Sequence, residues 1–201
     1  FAFRWAPLLA GTLATAALLF GELGFSGDVI KFDTRSGELT VRRNGILLEM
    51  DFPAQKPIPR ALSQTIVAGL GRTPEAVFLA EDYIAVFPRE ADVAELRPDM
   101  SELKKLDGRG IAATAPGDTV DFVSRFFAPK LGIDEDPVTG SVHCALTPYW
   151  SARLGKKTLS ARQISARGGE LICTDRGDRI GIAGTAVKYL EGVIMIGVGD
   201  L

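Results

Sequence analysis

The chain repeats itself in order, and that repeat restricts its fold more than any other feature. Arg4-Trp5-Ala6-Pro7 is answered by Arg125-Phe126-Phe127-Ala128-Pro129. Gly11-Thr12 and the apolar run to Phe20 are answered by Gly140-Ser141 and the run to Trp150. Leu23-Gly24 matches Leu154-Gly155, and Ser36-Gly37-Glu38-Leu39 matches Gly168-Gly169-Glu170-Leu171. Asn44-Gly45, with the strand to Phe52, matches Arg176-Gly177 and the strand to Ala183. Each unit reads as strand, turn, helix, then strands joined by tight turns. Self-similarity of this kind leaves only folds built from two copies of one supersecondary unit.

The local signals give each unit its elements. Val29–Arg35 and Glu38–Arg43 alternate apolar and polar residues, as half-buried strands do. Asn44-Gly45 is a hairpin signal. Arg179–Ile182 and Val193–Ile196 are strand-like. Leu13–Leu23 is apolar almost all round, which predicts a helix buried on every side. The central helices are expected at Thr12–Leu23 and Ser141–Leu154, with Pro148 kinking or shortening the second. Ser63–Leu70 and Ser101–Leu106 read as peripheral helices. The fold class is therefore α+β, with two pseudo-equivalent lobes, each a mostly antiparallel sheet around a central helix. Pro53, Pro57 and Pro59 mark a linker. The expected division is 1–56 for an incomplete N-terminal lobe and 57–201 for the C-terminal lobe, whose last strand is a candidate to return to the first.

Length and charge narrow the function classes. A chain of 201 residues buries a proper core as one large or two small domains. A formal net charge of −2, with no long basic run, argues against nucleic acid or an acidic membrane surface as the partner. Cys144 and Cys173 make no disulfide framework and lack metal spacing, so a reducing, cytoplasmic setting without a metal is expected. Trp5–Phe20, preceded by Arg4, has some features of a signal peptide but is short for a membrane span. The buried-helix reading explains it better.

The chemistry is concentrated in Gly132–Trp150. An acidic run, Asp134, Glu135 and Asp136, leads into a Pro-Val-Thr-Gly turn and a helix start at Ser141. A Thr-Gly-Ser entry leaves backbone N–H groups aimed outward, a ready site for a carboxylate or phosphate. An acid beside it is placed to move a proton on a bound anion. His143, the one histidine, lies in the first helical turn. There it reads more readily as a structural hydrogen-bonder than as a catalyst, although it titrates near neutrality. Glu135 and Asp134 read as solvated turn acids and Cys144 as core. Glu75 is given no catalytic role.

Asp136-Pro137-Val138-Thr139-Gly140-Ser141-Val142-His143, with the Glu before it, resembles the E-D-P-x-T-G-S-x-H signature of the PhzF family of phenazine-biosynthesis-like isomerases and epimerases. Ser165–Leu171, Gly177-Asp178-Arg179 and Ser124–Pro129 extend the resemblance. It implies a diaminopimelate-epimerase-like fold, with two barrel-like lobes and the active site in the cleft between them. It also implies catalysis without a cofactor, on a small carboxylate-bearing metabolite. The family's known chemistry includes isomerisation of a dihydro-hydroxyanthranilate. On this basis Asp136 and Ser141 are the expected catalytic residues. Thr139, Gly140, Ser141, Val142, Gly168 and Gly169 are the expected substrate contacts. The partner is the small-molecule substrate, and a homodimer is the candidate assembly. A cysteine-dependent diaminopimelate epimerase or proline racemase fits less well, because neither cysteine stands at a helix start.

The chain also departs from the family pattern. The step from Arg4 to Gly11 is eight residues shorter than that from Arg125 to Gly140. The family carries an acidic stretch and a Gly-His step there, and an acid/base glutamate in a motif that would precede Phe1. The favoured expectation is missing chain, spliced at Pro7–Leu8 or Gly11–Thr12. The alternative is an inactive binding or scaffold relative that keeps one anion site.

Overall fold

The computed structural model of the protein describes residues 6–34 and 37–192. In chain order the elements are α1 (Ala6–Gly21), β1 (Val29–Thr34), β2 (Gly37–Asn44), β3 (Leu47–Pro53), β4 (Ile58–Arg60) and α2 (Gln64–Leu70). Then come β5 (Ala76–Leu79), β6 (Tyr83–Val86), α3 (Glu90–Ala94), α4 (Met100–Leu103), β7 (Ile111–Pro116) and β8 (Phe122–Ala128). The last are β9 (Ile133–Asp136), α5 (Gly140–Leu154), β10 (Thr158–Gln163), β11 (Gly169–Asp175) and β12 (Arg179–Gly184). The expected strand Val193–Ile196 lies outside the described residues, as do Arg4 and Trp5.

The repeat is present, as a helix followed by a three-stranded meander. α1 precedes β1-β2-β3 and α5 precedes β10-β11-β12; every hairpin in both meanders is antiparallel. Asn44-Gly45 and Arg176-Gly177 close the equivalent second turns. Gly45 and Gly177 have φ of 61° and 89°, a left-handed conformation that costs a glycine little. The two meanders meet edge to edge through β3 and β12, in register from Pro53↔Arg179 to Leu48↔Gly184. The sheet order β1-β2-β3-β12-β11-β10 is therefore nearly palindromic, and it continues as β8-β7-β6-β5-β4. Pairing is antiparallel except for β6–β7 and β8–β10, which are parallel. The class is mixed α+β with one large sheet. Phe20, Phe52, Phe122, Trp150 and Ile180 belong to one core that crosses the 56/57 boundary.

β6, β7 and β8 are covered on both faces, which is why their sequences read as apolar runs without alternation. Ile84, Val86, Ala112, Phe122 and Phe126 face the shared core with α5. Tyr83, Ala85, Ile111, Ala113, Val123 and Phe127 face a second core under α2, α3 and α4. α2 follows the expected Ser63–Leu70, with the Ser63 hydroxyl accepting from the Ile66 N–H at 3.3 Å. α4 starts at Met100 and ends at Leu103, short of the expected Leu106.

Two expectations are revised here. α1 is not buried on every side. Thr12, Ala16 and Phe20, four apart, are buried against β2, β3 and α5, while Ala14, Thr15 and Leu18 are exposed. The two helices touch, so they share one core instead of being wrapped separately. The expected splice points Pro7–Leu8 and Gly11–Thr12 both fall within the bounds of α1.

Pro148 does not shorten α5, which continues to Leu154. Proline has no N–H, so the Cys144 carbonyl lacks its usual partner one turn on. The backbone N–H of Gln55 fills that place at 3.0 Å.

Candidate active site

A cavity of about 470 Å³ opens where the two units join. Leu13 of α1 and Met50 of β3 line it from the first unit. Asp136, the start of α5, the Arg167–Leu171 stretch and the end of β12 line it from the second.

The acidic run is a strand, not a turn. β9 pairs with β8, Phe126 opposite Asp136, and alternation then separates the three acids. Asp134 is exposed, as expected. Glu135 is not a solvated turn acid: it holds Arg125 in a two-point ion pair at 2.7 and 2.9 Å. Arg125 in turn donates to the Val93 and Leu96 carbonyls at the end of α3. Asp136, at the end of β9, borders the cavity.

The helix begins at Gly140, one residue earlier than expected, with Thr139 in the N-cap position. An N-cap threonine usually turns its hydroxyl onto the first helical N–H groups. Here it does not, because the Thr139 hydroxyl donates to Asp136 Oδ2. Among the described residues, the first-turn N–H groups of Gly140, Ser141 and Val142 are thus left without a side-chain cap. Ser141 lines the cavity as well, and no described residue pairs with its hydroxyl. The helix dipole adds partial positive charge at the same point.

Thr139 is held by a set of internal hydrogen bonds. Its N–H donates to Gln163 Oε1 at 2.8 Å, and its hydroxyl accepts from Gln163 Nε2 at 3.2 Å while donating to Asp136. Its carbonyl meets His143 Nδ1 at 2.7 Å. Thr139 borders the cavity and at the same time ties the turn to Gln163 and Asp136. Val142 does not border the cavity; its side chain is in the core. Gly140, Ser141, Gly168 and Gly169 do border it.

Gly168 and Gly169 also have a packing reason. A Cβ on Gly169 would stand 2.4 Å from Val138 Cγ2, so only glycine lets β11 start against the Pro137–Thr139 turn. Ser165 ties the same two segments: its hydroxyl donates to the Pro137 carbonyl at 2.8 Å and accepts from the Gly168 N–H at 3.0 Å.

His143 is fully buried. The Thr139 carbonyl can only accept, so Nδ1 carries the proton and Nε2 is an acceptor with no partner among the described residues. Burial lowers its pKa to about 4, against a smaller opposing effect of the Thr139 bond. The ring is neutral and structural, as the sequence reading preferred. Burial likewise pushes both thiols up to about 12, Cys144 within α5 and Cys173 within β11, so neither is a nucleophile at neutral pH.

Sequence reasoning missed Gln163. It is completely buried, and its amide makes three hydrogen bonds to Asp136 and Thr139. An uncharged glutamine 24 residues from Thr139 gives no local signal; only the parallel pairing of β8 and β10 brings it there.

The site thus combines a mixed sheet carrying two helix-plus-meander units with a carboxylate beside an uncapped helix start. The chain belongs to the family described as phenazine biosynthesis-like proteins, which it matches over residues 9–192. It is 48% identical over 183 residues to an uncharacterized isomerase of Pseudomonas aeruginosa, covering 91% of this chain and 71% of that protein. An uncharacterized isomerase of Halalkalibacterium halodurans is 38% identical over 190 residues, covering 92% and 72%. The crystal structure of a phenazine biosynthesis protein of the PhzF family from Enterococcus faecalis superposes with a TM-score of 0.85 at 44% identity. That match covers 87% of this chain and 67% of the other. Among the described residues, no helix is long and apolar enough to cross a membrane.

Proposed function

We propose that the protein isomerises or epimerises a small carboxylate-bearing metabolite by acid/base proton transfer, without a cofactor. The substrate carboxylate sits against the N–H groups of Gly140 and Ser141 and the Ser141 hydroxyl, and Asp136 removes or returns a proton on a neighbouring carbon. The observation that carries this reading is the missing cap. Thr139 spends its hydroxyl on Asp136, which leaves the helix start open to an anion and fixes the acid next to it. The cavity wall, drawn from both repeat units, fits the inter-lobe cleft that the family resemblance implies.

The test is hydrogen exchange in D₂O, followed by NMR on a panel of small carboxylates with an acidic C–H beside an unsaturated or carbonyl carbon. Deuterium enters at one carbon of an accepted compound. Asp136→Asn lowers that rate by roughly 10²- to 10⁴-fold, the usual worth of a positioned acid/base group, and leaves the melting temperature near that of the parent. Equal exchange with the parent protein and Asp136→Asn removes Asp136 from the mechanism.

A further inference from the structure

The geometry points to Gln163 as a positioning residue: acting through the Thr139 hydroxyl, it fixes the rotation of the Asp136 carboxylate, so that one oxygen is held and the other is left free. This rests on the proposal that Asp136 handles the substrate proton.

The argument is one of hydrogen-bond polarity. Two backbone groups fix the orientation of the Gln163 amide. Thr139 N–H can only donate, and it points at one end of the amide at 2.8 Å, so that end is Oε1. The Asp136 carbonyl can only accept, and it meets the other end at 2.6 Å, so that end is Nε2. The second Nε2 hydrogen then goes to Thr139 Oγ1 at 3.2 Å. Having accepted from Gln163, the Thr139 hydroxyl directs its own hydrogen to Asp136 Oδ2. Reversing any bond in this chain would oppose two donors or two acceptors. Oδ2 is thereby occupied. Oδ1 has no protein partner among the described residues, and Asp136 borders the cavity. Gln163 is wholly enclosed, so water does not compete for these bonds.

Gln163 also pins the turn through the backbone of Asp136 and Thr139, and a purely structural tie would stop there. Thr139→Val separates the two roles. It keeps the shape and both backbone bonds to Gln163 and deletes only the hydroxyl. The readout is the carboxylate stretching bands of Asp136, isolated by infrared difference between each full-length protein and its Asp136→Asn counterpart. Thr139→Val displaces these bands, and Thr139→Ser restores them. Gln163→Glu, which keeps an acceptor for the Thr139 N–H but lacks the donor hydrogens, displaces them too. In the Thr139→Val background Gln163→Glu produces no further displacement. Bands unmoved by Thr139→Val, or additive displacements in the double variant, overturn the proposal. Should Gln163→Glu fail to fold, the Gln163 side-chain amide signals in ¹⁵N NMR take its place. They shift on Thr139→Val if the hydroxyl is its partner, and stay fixed if it is not.

The spectroscopic arm needs no turnover, so it stands or falls separately from the acid/base mechanism. In the D₂O assay, Thr139→Val lowers exchange by roughly 10²-fold, the scale of a misoriented reacting group. Thr139→Ser recovers most of that loss. Unmoved exchange with displaced bands would mean that Asp136 is held as described but does not transfer the proton.

Discussion

α1 and α5 hold equivalent places in the two repeat units, yet they are buried very differently. α5 is pressed against β10, β11 and β12 and shares its core with β8; Val142, His143, Cys144, Ala145, Leu146, Thr147, Trp150 and Ser151 are all buried along it. α1, the more uniformly apolar of the two, meets β2, β3 and α5 along one face only. Leu18, on the other face, is 50% exposed. Apolar composition thus states what a helix can bury. How much it does bury depends on the strands that reach it, and β8 with its neighbours reaches α5.

The largest effect that separates the two helices should come from Trp150. It is fully enclosed, stacked on Phe122 at 5.7 Å between ring centres, and its indole N–H donates to Thr114 Oγ1 at 3.0 Å. Trp150→Ala should cost ~3–5 kcal/mol, read as a shift in the denaturant midpoint. A loss no larger than that of an exposed α1 substitution would break the comparison.

Next comes the pH dependence that α5 acquires from His143. In the unfolded chain the ring binds its proton as pH falls through about 6.5, whereas burial delays this to about 4 in the folded chain. Between those values the unfolded state holds more protons, so stability is full above the window and falls as pH drops through it. The difference is roughly 3 kcal/mol in all. Thermal melts from pH 7.5 to pH 4 should show the slope, and His143→Leu should flatten it whatever its own stability.

Gly169→Ala sharpens the comparison at the mouth of α5. The added methyl meets Val138, and overpacking of this kind costs about 1–3 kcal/mol. Anion protection of the α5 start, measured by amide exchange with sulfate present, should weaken in the same variant. The smallest effect belongs to α1: Leu18→Ala, on the exposed face, should stay within about 0.5 kcal/mol of the parent.

Much of this architecture was legible in the sequence because it is local. Asn44-Gly45 between alternating segments announced the β2–β3 hairpin, and its echo at Arg176-Gly177 announced β11–β12. The Thr-Gly-Ser entry located the start of α5 to within one residue. What escaped is non-local. Nothing in the residues of β3 or β12 says that they pair with each other and join the two meanders into one sheet. The acidic run looked like a turn because its charges hide the pairing supplied by β8. The bonds that hold Thr139 could not be read from the sequence, because its partner Gln163 is placed by a parallel strand far along the chain. Glu135 looked solvated because the Arg125 that claims it comes from the neighbouring strand.

Pro148 has a consequence beyond its own helix. A proline inside a helix leaves one rung of the backbone ladder open, and in α5 the open rung is an attachment point. The segment leaving β3 hooks onto it through the Gln55 N–H. From there the Gln55 side chain reaches Glu81 at 3.2 Å, Glu81 reaches Arg109 at 3.1 Å, and Arg109 closes on the buried Asp82. The path of the chain out of its first meander is therefore moored to the middle of the second unit's helix, by a residue better known for ending helices than for fastening anything to them.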